Sequence, residues 1–72
     1  MPKLPVLSGP DIIRALERMG FQQVRERGSH VVMRRGDQGT VVPLHKEVKT
    51  GTLAGIIRQA GLSQDEFFKA IK

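Results

Sequence analysis

The stretch Arg27-Gly28-Ser29-His30-Val31-Val32-Met33-Arg34-Arg35 sets a Gly-Ser turn before a histidine, a β-branched pair and two arginines. Such a run reads as a strand, and the turn in front of it calls for an antiparallel partner upstream. From Gln22 to Leu44 the apolar residues recur with a period of two. The pattern breaks at Gly28-Ser29 and again at Gly36-Asp37-Gln38-Gly39, which predicts a three-stranded antiparallel meander. A two-residue type II′ loop at Gly28-Ser29 pairs Arg27 with His30, Arg25 with Val32 and Val24 with Met33. A four-residue second loop then pairs Arg35 with Thr40, Met33 with Val42, Val31 with Leu44 and, where the ladder reaches so far, His30 with His45. In that register Val24, Val31, Met33, Val42 and Leu44 share the face that meets the helices, whereas Arg25, Arg27, His30, Arg34 and His45 share the other. Pro43 donates no ladder hydrogen bond, which makes the third strand an edge.

The flanks read as helices. Ser8, with Asp11 three residues on, forms a capping-box-like start, and Pro10 fits the first turn. Ile12, Ile13, Leu16 and Met19 recur at helical spacing until Gly20-Phe21 supplies a stop, which predicts a helix from Gly9 to Met19. Pro2 and Pro5 keep the lead before it extended. Beyond the meander, Thr50 is the expected N-cap of a helix whose buried stripe is Leu53, Ile56, Ile57 and Ala60, ended by Gly61. A capping box at Ser63 and Glu66, with Leu62 and Phe67 spaced as a hydrophobic staple, predicts a short third helix from Gln64 to Ile71. The result is an α+β chain of order αβββα with helices on one face of the sheet and a short C-terminal helix. It is expected to be one domain over residues 1–72.

Twelve Lys and Arg against seven Asp and Glu give a net charge of +5 and a pI near 10.5, a balance that favours polyanions as partners. With no cysteine there is no disulfide or thiolate metal site, and two histidines among scattered acids make no metal-ligand pattern; no metal or cofactor is expected. No apolar run reaches the ~20 residues of a membrane span, and Met1-Pro2-Lys3-Leu4-Pro5-Val6-Leu7 lacks the apolar centre of a signal peptide, so the expected compartment is the cytoplasm. Trp and Tyr are absent and Phe21, Phe67 and Phe68 are the aromatic residues, which disfavours binding built on base stacking. A core this small also gains from a protein partner that adds buried surface.

His30 is the first candidate for chemistry. On an open sheet face beside Arg27, a neutral imidazole could take the proton of a ribose 2′-OH while arginines hold the phosphate; DNA, lacking that hydroxyl, would not react this way. The plainer reading is a surface histidine after a hairpin turn. Gly28 permits the turn, and Ser29 beside it has no acid to complete a Ser-His-Asp arrangement. His45 follows the Pro43 edge and reads first as structural, although the expected register would set it against His30 as a second proton-transfer group. Arg25, Arg27, Arg34 and, at the strand end, Arg35 are candidate phosphate contacts, extended by Lys46 and Lys49. The parity of Arg35 places it on the core side and weakens its claim. Gly51 reads as a packing position at the start of the second helix.

Gly20-Phe21, Arg27-Gly28-Ser29-His30, Pro43-Leu44-His45-Lys46 and Gly51-Thr52-Leu53 with Ile56-Ile57 resemble, in order and spacing, the HicA toxin family from about Ser8 to Phe68. Gly9-Pro10 departs from the family, where ordinary helix formers are usual. The resemblance implies a double-stranded-RNA-binding-domain-like αβββα fold and a metal-independent mRNA interferase, an endoribonuclease that inhibits translation and is neutralised by a HicB-like antitoxin. It places the catalytic histidine on His30 and assigns no second catalytic group; from the residues themselves, Gly28, Ser29 and His45 are read as active-site support. Two other readings use the same residues: a non-catalytic double-stranded-RNA-binding module, and a protein-interaction domain whose basic face serves an acidic partner.

Overall fold

Helix boundaries follow from local chemistry that the sequence displays. A computed structural model describes residues 5–71, so the expected extended lead over residues 1–4 lies outside the described residues. The first helix, α1, spans Gly9–Arg18; the Ser8 hydroxyl caps it by accepting from the Asp11 N–H at 3.2 Å. Its end is a Schellman motif, in which Phe21 N–H donates to Leu16 C=O and Gly20 N–H to Glu17 C=O, with Gly20 at φ +96°. The second helix, α2, spans Thr50–Gln59 and closes the same way at Gly61 and Leu62. Its N-cap is Lys49 and not Thr50, which has become the first helical residue, and no side chain caps this end. The third helix, α3, spans Gln64–Ile71 with the expected capping box: Ser63 N–H to Glu66 Oε1 at 3.0 Å and Glu66 N–H to Ser63 Oγ at 3.1 Å.

Between α1 and α2 lie β1 (Gln22–Arg27), β2 (His30–Arg35) and β3 (Gln38–Pro43), an antiparallel sheet of order β1-β2-β3 with β3 at an edge. The first hairpin has the expected loop, and Arg27 faces His30 and Arg25 faces Val32. The second loop is shorter than expected. Gly36-Asp37 alone makes the turn, with Gly36 at φ +59°, so Arg35 pairs with Gln38, Met33 with Thr40, Val31 with Val42 and His30 with Pro43. A two-residue turn with glycine first matches the twist of the strands and leaves Gln38 and Gly39 free to join β3. The expected pairs Arg35–Thr40, Met33–Val42, Val31–Leu44 and His30–His45 are therefore each corrected by a shift of two residues.

A slip of two preserves the faces, and the core is as expected at Val31, Met33 and Val42, all 1% exposed or less. Val24 is different. A β-bulge between Gln23 and Arg25 makes Gln23, not Val24, the partner of Met33, and Val24 is 53% exposed. Leu44 lies beyond the strand and is half-buried against the core. The helices cover the inner face over β2 and β3, where Ile12, Leu16, Leu53, Ile56 and Phe67 are buried, while all six residues of β1 are exposed. Thr40 is buried on that inner face and donates to Gln59 Oε1 of α2 at 3.2 Å.

Gly9 has a steric reason. A Cβ there would stand 2.2 Å from the Pro43 carbonyl oxygen. The glycine lets its N–H reach His45 C=O at 2.8 Å, and Leu7 forms an antiparallel bridge with Val48 just before it. The chain entering α1 is thereby fastened along the segment leaving β3.

Candidate functional site

Residues directly opposite on neighbouring strands share a face of the sheet, and three outward rungs follow from the register. The first is Arg27–His30–Pro43, the second Arg25–Val32–Val41 and the third Gln22–Arg34–Gly39. None contains a carboxylate. Arg25, Arg27, His30 and Arg34 are all exposed, and the packed helices lie on the far side of the sheet. The arrangement offers a flat cationic surface with one imidazole at its turn end, suited to holding an anion while a proton moves.

The turn is built to hold that end. Gly28 takes φ +59° with open space where a Cβ would be, so its role is conformational. Ser29 is exposed, and its carbonyl accepts from the Leu44 N–H at 2.6 Å, which ties the turn before His30 to the end of β3. His45 lies in the loop after β3, exposed, beyond the last ladder pair of His30 with Pro43. The cross-strand histidine pair expected from the sequence does not form, because the shorter second loop moves His45 two residues past His30.

Lys46 and Lys49 are exposed on the path into α2, whose first turn has no acidic residue. Gly51 is exposed, and a Cβ there would meet nothing within 4 Å, which corrects the expectation of a packing role. Arg35 turns out to be structural. Its guanidinium donates to Met19 C=O and to Gln38 Oε1, both at 2.9 Å, and lies 4.8 Å from the centre of the Phe21 ring. The parity of Arg35 pointed to the core side; nothing in the local sequence marked the Schellman carbonyl it reaches.

Two concavities lie off this face. A groove of about 260 Å³ between α1 and β1 is lined by Ile13, Val31 and Leu44 with Arg14, Glu17 and Glu26, so two carboxylates face one guanidinium there. A second, of about 340 Å³, runs beside Asp11, Arg14 and Arg18 on α1 and Ile71 on α3. Hydrogen bonds from Ser8, with the Arg14 guanidinium beside it, hold the Asp11 carboxyl below the usual carboxylate value. Among the described residues there is no group of three metal-binding side chains, and no helix is long and apolar enough to cross a membrane.

No curated protein matches the chain. The family described as the HicA toxin of bacterial toxin-antitoxin matches residues 9–62, from the first residue of α1 to the Leu62 that closes α2, and α3 lies beyond the matched span. Three quarters of the sequence, including every strand and the whole outward face, falls within that match, and the chain belongs to the HicA toxin family.

Proposed function

We propose that this toxin is a metal-independent endoribonuclease that cuts mRNA in the cytoplasm and thereby inhibits translation, with residues 1–72 acting as one domain. The observation that carries the reading is Arg27 directly opposite His30 on a face free of carboxylates. His30 takes the proton of a ribose 2′-OH; the resulting oxygen attacks the adjacent phosphorus to form a 2′,3′-cyclic phosphate as the bond to the 5′-oxygen of the next nucleotide breaks, and that oxygen takes up a proton from solvent. Arg27 and Arg25 hold the phosphate and offset the charge that develops on it. Arg34, Lys46 and Lys49 bind phosphates farther along the strand. Gly28 and Ser29 position the imidazole, and His45 supports the site through the segment that the Leu44–Ser29 hydrogen bond anchors to the turn.

The neutralising partner is a HicB-like antitoxin with an acidic surface that covers this face. Such a partner would both block the site and enlarge the buried area of a small fold.

The test is incubation of wild type and His30→Ala with RNA and with DNA of the same sequence, in chelator. Cleavage of RNA alone, by wild type alone, is expected, with the variant slower by about 10²–10⁴-fold and unchanged in thermal stability. A fully active His30→Ala sinks the assignment. RNA binding by wild type without any cleavage would transfer the chain to the non-catalytic reading.

A further inference from the structure

The second outward rung is apolar in the middle of a basic face. Val41 is 42% exposed and Val32, its direct partner, is half-buried; the bulged Val24 adds a third valine to the same sheet. Neighbouring strands lie about 4.8 Å apart and rungs on one face about 6.7 Å, so the Val32–Val41 pair presents a patch on the scale of one nucleobase. Arg25 ends this rung, the His30 rung lies one step toward the turn and Arg34 one step the other way. The helices of this chain leave the patch uncovered.

We infer that Val32 and Val41 form a base shelf: they receive the face of an unpaired base next to the scissile ribose, while Arg25 and Arg34 hold the phosphates on either side. The proposal rests on the RNA-cleaving reading of His30 and adds the substrate form and the residues that position it. The valines have no hydrogen-bonding group, so they press on a base without reading its edge, and cleavage tolerates many sequences. Bases inside a duplex present their faces to one another and not to a protein, so the shelf selects single-stranded RNA. A cross-strand valine pair that only stabilises the sheet would change melting temperature and leave substrate binding alone.

The test uses short unstructured RNAs, each carrying one abasic ribonucleotide at a different position, and the duplex form of the parent RNA. Proteins are wild type, Val41→Asp and the shape-conserving Val41→Thr, with melting temperatures recorded for each. In wild type, one abasic position beside the cleaved bond is expected to lower kcat/KM about tenfold, chiefly through KM, and the duplex to be cut slower still. Val41→Asp is expected to show a similar loss on intact RNA and almost no further loss at that position, with Val41→Thr intermediate and folded.

Equal cleavage of intact and abasic RNA by wild type overturns the shelf, as do losses that multiply in Val41→Asp. Unchanged RNA kinetics in Val41→Asp, with loss of binding to the cognate antitoxin, overturns it by giving the rung to a protein. A wild type that cleaves none of these RNAs overturns the endonuclease reading itself, and the shelf with it.

Discussion

Alternate residues of β2 live in different surroundings. Val31 and Met33 are 1% and 0% exposed beneath the helices, while His30 and Arg34 look out from the opposite face with only cross-strand neighbours beside them. The inner set is fixed by packing, where volume and apolar area decide the outcome. The outer set answers to charge and reach. One six-residue strand therefore carries two separable properties, and a substitution should move stability or RNA binding according to whether its position is odd or even.

Met33→Ala is expected to have the largest effect on stability, a loss of about 2–5 kcal/mol read from urea or thermal unfolding, because Met33 is fully buried in the core beneath the helices. In a domain whose total stability is of the order of 5–15 kcal/mol, that loss is a large fraction of the whole. Its outward neighbour should behave in the opposite way. Arg34→Ala is expected to change stability by no more than about 0.5 kcal/mol, while weakening RNA binding and lowering the slope of log K against log salt by about 0.7–1. A melting temperature that falls as far in Arg34→Ala as in Met33→Ala would break the two-face division.

The smallest effect belongs to neither face. Asp11 and Glu66 are capping carboxylates held below their usual values, Asp11 by Ser8 and Arg14 and Glu66 by the Ser63 N–H and hydroxyl with nearby Arg35 and Lys69. The unfolded chain thus binds more protons than the native one in acid, so the stabilisation they give is complete above about pH 4–5 and fades as pH falls through their lowered native values. Both are at the surface, and the contribution is modest. Unfolding midpoints compared at pH 7 and pH 3 should fall less in Asp11→Asn and Glu66→Gln than in wild type.

The helices were legible because their ends carry their own chemistry: Ser8 with Asp11, Gly20-Phe21, Gly61-Leu62, and Ser63 with Glu66 each act within a few residues. The sheet was legible in its faces and in the first pairs of the β1–β2 hairpin, but not in the partners of β3. Gly36-Asp37-Gln38-Gly39 contains two glycines, either of which can serve a turn, and choosing the longer loop moved β3 by two residues. An even slip leaves Val31, Met33 and Val42 on the correct side, which is why the core survived the error. The bulge at Val24 is an odd slip, and the one valine of β1 was accordingly misplaced. For the candidate site, His30 beside Arg27 held because it adjoins the tight turn, where register has no room to drift. His45, far from any turn that fixes it, did not keep its partner. The tethering role of Arg35 was hidden because Met19 C=O is exposed to it only after α1 has closed.

The fastening around Gly9 bears on motion as well as shape. Three backbone hydrogen bonds, Gly9 N–H to His45 C=O, Leu44 N–H to Ser29 C=O and Val48 N–H to Leu7 C=O, pin the segment from Leu44 to Val48 along its length. A loop held at three points is expected to open cooperatively, so that hydrogen-exchange measurements should find the amides of Gly9, Leu44 and Val48 similarly protected. His45 and Lys46 ride on that unit, which makes the entry to α1, remote from His30 in sequence, a governor of how long the basic loop keeps its shape.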